Sequence, residues 1–225
     1  MNYFGHAVMA HAYRPDPAFV LGAMLPDLMH FSDEPLDVRG DDALKDGVAF
    51  HHRTDAIFHE SPSFVAWCQD ALEAARRVGV SKGPARGMTH LVVELIIDAK
   101  LAAVPLWQDV YMTALASRPQ AIAPRARLVE GLDWLVSRGP SLHNDSSERL
   151  ATALRVTLRG RPRLCPSEDE LRSALSAWMD LPARVDAGLP KLLSELAPLF
   201  PDGRGSTQRV FGEHLERLQP SKPAP

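Results

Sequence analysis

Ala85-Arg-Gly-Met-Thr-His90-Leu-Val-Val-Glu94-Leu-Ile-Ile-Asp98-Ala-Lys-Leu-Ala-Ala103 is the stretch on which the fold turns. Leu91, Val92, Val93, Leu95, Ile96, Ile97 and Leu101 make it strongly apolar without the strict alternation of a strand, so it is read as a helix, and as the central one. Within it stand His90, Glu94 and Asp98, each four residues from the next. Residues four apart on a helix advance by only about 40°, so the three share one face. A carboxylate in a buried helix must be paired, hydrogen-bonded or bound to metal. Two of them four apart repel each other, and a divalent cation relieves that cost. The plainer alternative pairs Glu94 and Asp98 with Arg53 or Lys100 at a helix–helix contact.

The same spacing recurs upstream in His51, Asp55 and His59. His6 and Asp27, the latter in Leu21-Gly-Ala-Met-Leu-Pro-Asp27, complete a series in which seven of the nine histidines fall within the first 90 residues. Imidazole nitrogens with carboxylate oxygens are the donor set of a divalent metal site. His11, His30, His143 and His214 are read as ordinary capping or core histidines. His52 lies about 100° round the helix from His51, so only one of the two can face a site squarely. Asp33, Glu34, Asp37, Asp41 and Asp42 are read as a solvated acidic connection.

Outward from the central stretch, helical periodicity dominates. Asp16-Pro17 opens a helix to about Met29, which Pro26 should kink or end near Leu25. Further helices are expected from Asp41 or Asp42 to Glu60, from Ser61-Pro62 onward, and from Trp107 to Ser117, with a loop at 79–84. Pro124 begins one that Gly139-Pro140 ends. Asp145 with Glu148 caps another that runs to Leu158, and the last three span 166–179, 182–199 and 207–218. The expected architecture is an all-α helical bundle forming one domain over 1–218, with 219–225 a flexible tail.

The 225 residues are 45% apolar and carry a net charge of −3, so bulk attraction to nucleic acid or anionic lipid is not expected. Cys68 and Cys165 stand outside any C-x-x-C spacing and read as reduced thiols. There is no basic start followed by an apolar run and no apolar stretch of membrane-spanning length, so a cytoplasmic location is expected. No G-x-S-x-G elbow, phosphate-cradling glycine loop or H-E-x-x-H is present, and neither cysteine has an evident local base.

Three segments resemble the acyl carrier protein phosphodiesterase family in the same order: Met1-Asn-Tyr-Phe-Gly-His6 with the segment ending in Asp27, Gly47-Val-Ala-Phe-His51-His-Arg53-Thr-Asp55 with Pro62, and Glu94-Leu-Ile-Ile-Asp98. Arg161-Pro-Arg-Leu164 is similar to a late arginine-proline segment of that family. The likeness covers about residues 1–100. It implies a helical fold like that of HD-domain metal hydrolases, a divalent metal ion (Mn2+ or Zn2+ first, Mg2+ or Fe2+ as alternatives) and removal of 4′-phosphopantetheine from a carrier-protein serine. His6, Asp27, His51 and Asp98 would be the metal-site residues, with Asp55 and Glu94 beside them or as further ligands.

Ala99 stands where the family has histidine, His52 where it often has arginine, and the literal HD dipeptide is absent. His59 and His90 are additional, and with them the site gains nitrogen ligands of the kind zinc favours. The opening also resembles zinc-dependent phospholipase C-like proteins. In the hydrolytic scheme Asp55, Glu94 or His59 orients or deprotonates the attacking water, and Arg53 contacts phosphate or braces Asp55 or Glu94. Arg155, Arg159, Arg161 and Arg163 form either a docking strip for an acidic carrier protein or an ordinary solvated helix end. The competing expectations are a phosphohydrolase or phospholipase acting on a small molecule or lipid headgroup, which an apolar open pocket would favour, and a non-catalytic helical binding module.

Overall fold

A computed structural model describes residues 1–29, 38, 41–117, 126–138 and 146–200, and the architecture over them is all-α. Ten α-helices and one 3-10 turn occur among the described residues, and no strand. They are α1 (Tyr3–Tyr13), α2 (Pro17–Leu28), α3 (Asp42–Glu60), α4 (Pro62–Arg77), α5 (Lys82–Ala102), α6 (Pro105–Ala116), α7 (Ala126–Arg138), α8 (Ser147–Leu158), α9 (Glu168–Ala177) and α10 (Leu181–Glu195), with the turn at Ala197–Leu199. No described helix is long and apolar enough to cross a membrane.

The sequence assigns no element to residues 3–13, yet they form α1. Asn2 caps it through its side chain, which accepts from the Tyr3 N–H, and Phe4 through Ala10 are all buried. A helix buried all round has no polar stripe, which is why periodicity passes over it. Phe4 and Tyr3 hold it against Tyr111 of α6 at ring separations of 5.3 and 6.2 Å.

Asp16 caps α2 as expected, but Pro26 does not end it, and the helix continues to Leu28. A proline this close to a C-terminus removes a single intrahelical hydrogen bond. Burial of Leu25 and Leu28 holds the final turn. Asp27 therefore projects from α2 itself. Asp41 caps α3 through Leu44 N–H, so Asp41 and Asp42 are helix-start residues; Asp33, Glu34, Asp37 and His30 lie outside the described residues.

α5 begins at Lys82 rather than Ala85, with Pro84 in the first turn, where backbone N–H groups have no intrahelical partner to lose. For the same reason α6 starts on Pro105, two residues before Trp107. Ser146 caps α8, and Ser167 with Glu170 forms a capping box on α9. Pro190 is accommodated inside α10. The expected boundaries at Pro124, Gly139-Pro140 and Asp145, the helix at 207–218, the tail, His143 and His214 lie outside the described residues.

The closest helix–helix contact is the one that matters for the site. At the α2–α3 crossing Gly22 and Gly47 face each other: a Cβ on Gly47 would stand 2.1 Å from Phe19 O, and one on Gly22 would stand 2.2 Å from Leu44 O. Two bare glycines let the backbones touch, and one turn beyond them α2 carries Asp27 and α3 carries His51.

Candidate metal centre

α1, α2, α3 and α5 bring His6, Asp27, His51, Asp55, His59, His90, Glu94 and Asp98 into one region at the edge of the core, where His6, His51, Glu94 and Asp98 are buried and His90 is half exposed. Two compact groups of ligand atoms result. Those of His6, Asp27 and His51 all lie within 4.8 Å of one another, as do those of His59, His90 and Glu94.

In the first group the His6 and His51 rings stack at 3.9 Å between centroids. His51 Nδ1–H donates to the Ala23 carbonyl at 2.9 Å, since a carbonyl only accepts, and Nε2 is the nitrogen that faces the group. That is the arrangement in which a backbone oxygen orients a ligating imidazole. His6 Nε2 stands 3.1 Å from Asp55 Oδ1 and 3.8 Å from Asp27 Oδ2, while its buried Nδ1 has no hydrogen-bond partner. In the second group the His59 and His90 rings stack at 4.7 Å, with the Phe64 ring edge-on to both. Their Nε2 atoms lie 3.8 and 3.1 Å from Glu94 Oε1.

Asp55 joins the two groups. Its Oδ1 faces His6 at 3.1 Å and His59 at 3.5 Å, and its Oδ2 faces His51 at 3.5 Å. The Met1 amino group adds the cation that sequence reading overlooks: it donates to Glu94 Oε1 at 2.9 Å and lies 3.8 Å from Asp55 Oδ1.

The charges are strongly perturbed. Burial pushes His6 down to about 3 against the pull of Asp55, so the ring is neutral. Burial also raises Asp27 to about 7, against the opposing effect of His51 and the Met1 amino group. Burial works to raise Glu94 as well, but the Met1 amino group and His90 outweigh it and hold the carboxyl at about 2. Three histidines overcome burial at Asp55 and hold it far below the usual carboxylate range. His51 runs the other way: burial works to lower it, but Asp55, Asp27 and the Ala23 carbonyl outweigh burial and raise it, so an ion bound there would displace a proton. A neutral His6 and an Asp27 carboxyl poised to release its proton are the states in which those two groups bind metal.

The donor set fits a divalent ion. Two ligands on opposite sides of an ion at about 2.1 Å are about 4.2 Å apart, and the His6–Asp27, His59–Glu94 and His90–Glu94 separations of 3.8, 3.8 and 3.1 Å fall within that span. The mix of imidazole and carboxylate suits zinc or manganese.

Two expected members stand elsewhere. Asp98 belongs to neither group: one turn beyond Glu94, it lies beneath α1, where its Oδ1 accepts from Gly5 N–H at 3.1 Å and its buried Oδ2 has no partner. Burial raises its pKa well above the ordinary carboxylate value, which favours the protonated form. Arg53 does not reach Asp55, Glu94 or the cluster's interior. Two residues from His51 is about 200° of helix, and its guanidinium lies over Tyr13 and Phe50 at 4.9 and 5.1 Å. Lys100 pairs with Asp186 at 3.4 Å, so neither cation expected by the plainer reading reaches Glu94 or Asp98.

His52 is exposed and edge-on to His51, and His11 rests against Trp107. Cys68, on the α4 face toward Glu94, is pushed up to about 12 by burial and that carboxylate, which keeps it a thiol. Of the arginine strip, Arg155 pairs with Glu168 at 3.2 Å, while Arg159, Arg161 and Arg163 are exposed.

The chain matches no protein-family model, no curated protein and no solved structure.

Proposed function

We propose that this chain is a divalent-metal-dependent hydrolase of phosphoric esters. The observation that carries the reading is the convergence of His6, Asp27 and His51 from three helices, with Asp55 linking them to a second group of His59, His90 and Glu94. Two ionised carboxylates, Asp55 and Glu94, stand beside the Met1 amino group, and a divalent ion would stabilise them further.

His6, Asp27 and His51 would hold one ion, and His59, His90 and Glu94 a second. Ions so placed supply a bound water of lowered pKa and neutralise charge on the phosphoryl oxygens. The protein's own part is orientation and proton handling. Ala23 O fixes the His51 tautomer, and Asp55, ionised and in reach of three histidines, would accept a hydrogen bond from a water at the junction of the two groups and orient it. Arg53 has no part in this scheme.

Substrate choice between a small ester and a carrier protein follows from the surroundings. An apolar cleft opens against His90, which supports a small-molecule or headgroup ester. The exposed Arg159, Arg161 and Arg163 support the second reading, removal of 4′-phosphopantetheine from an acidic acyl carrier protein. The test is hydrolysis by zinc- or manganese-loaded protein of bis-p-nitrophenyl phosphate, p-nitrophenyl phosphate and holo-acyl carrier protein. Metal-dependent turnover that His51→Ala reduces by 100-fold or more supports the reading. Metal-loaded protein inert on all three leaves a binding module instead.

A further inference from the structure

The second ligand group is not sealed. His90 is half exposed, and a cleft of about 240 Å³ begins at its ring and runs between α4 and α5. Phe64, Val65, Cys68 and Leu72 of α4 form its apolar wall, and Arg86, one turn before His90, is on the α5 side. Phe64 belongs to both structures, since the ring that lines the cleft also packs edge-on against His59 and His90. Anything seated in the cleft therefore ends at the imidazoles that face Glu94.

We propose that this cleft holds the apolar group of the substrate, and that the substrate class is phosphoric esters of an aryl or short alkyl alcohol. This rests on the hydrolase reading and deepens it. The volume sets the size. An apolar cavity of about 150 Å³ accepts benzene, so 240 Å³ takes one ring with a substituent or a chain of about six to eight carbons. Two long acyl chains do not fit. Charge sets the polarity, because Arg86 and His90 lie on the α5 side of an otherwise uncharged lining, so the anionic end of the ester is drawn toward His90 and the apolar end lies along α4.

The experiment titrates zinc-loaded protein with inorganic phosphate and with methyl-, butyl-, hexyl- and dodecylphosphonate, measuring metal content on the same samples. Affinity is expected to rise about three- to fourfold per methylene that the cleft buries and to level off between hexyl and dodecyl. Val65→Trp, at a partly exposed wall position, is expected to remove tenfold or more of the hexyl advantage, with helical circular dichroism unchanged. Leu72→Ala, which enlarges the cleft, should move the plateau to longer chains. Metal-loaded protein that binds phosphate and every phosphonate equally overturns the cleft assignment and leaves the hydrolase reading standing. Protein that takes up no metal overturns both.

Discussion

Replacing Gly47 with alanine should damage the candidate metal centre without touching any of its side chains. The added Cβ would stand 2.1 Å from Phe19 O and 2.9 Å from both Ala23 N and Gly22 Cα. All three are backbone atoms of α2, so no rotamer change relieves the contact. Ordinary van der Waals separation begins at 3.4 Å, which requires α2 and α3 to part by about 1.3 Å at the crossing. Alanine gains about 1 kcal/mol over glycine in helix propensity, while overpacking of this kind costs about 1–3 kcal/mol and more when backbone is struck. The net expectation is a loss of about 2 kcal/mol. The site should suffer more, because metal–ligand distances tolerate only about 0.2 Å, and both Asp27 and the Ala23 carbonyl that orients His51 move with α2. Urea unfolding of the metal-free protein and zinc titration of the folded protein read the two effects separately. Gly160→Ala is the control, since a Cβ there meets nothing within 4 Å. A Gly47→Ala protein with wild-type stability and wild-type zinc affinity would refute the claim that the bare glycine contact sets the site.

Other consequences follow from single contacts. Glu195 of α10 accepts from Ser63 N–H at 2.9 Å and Ser63 Oγ–H at 3.0 Å, serving as the cap that Ser61 does not provide for α4. Glu195→Ala should cost about 1–2 kcal/mol in urea unfolding. Asp27 titrates near 7 in the folded metal-free protein against 3.8 unfolded, so its contribution is full below about pH 4 and is lost as pH rises through 7. Asp27→Asn lacks that loss, and its stability relative to the native sequence in EDTA should climb between pH 4 and 7 and then flatten, while its metal affinity falls. Arg53→Ala should lose no more than about 1 kcal/mol, the worth of exposed cation–π contacts, and keep native metal content in elemental analysis, because the guanidinium packs on Tyr13 and Phe50.

The all-α class was legible because its signals are local. Asp16-Pro17, Asp41 and Ser61-Pro62 announce helix starts, and the apolar run about Glu94 reads as a buried helix without any knowledge of its neighbours. The four-residue spacings on α3 and α5 were equally open to reading, since helix geometry alone places His51 with Asp55 and His90 with Glu94. What was hidden depends on partners. α1 is buried on every side and shows no periodicity. Glu94 and Asp98 look alike in sequence, and only the packing of α1, whose Gly5 N–H reaches Asp98, separates the one beside two histidines from the one buried and raised in pKa. Arg53 follows its helical phase rather than its charge, and packs on Tyr13 and Phe50 away from His51. The first ligand group requires the α2–α3 approach, which rests on Gly22 and Gly47; both stand in the motif segments, but sequence alone does not show that they face each other.

The most direct test of the central claim is anomalous diffraction at the zinc edge from crystals of zinc-loaded protein. A peak within about 2.2 Å of His51 Nε2, also ligated by His6 and Asp27, with a second between His59, His90 and Glu94, is the predicted result. Zinc found only at surface residues, or no peak at either group, would contradict it.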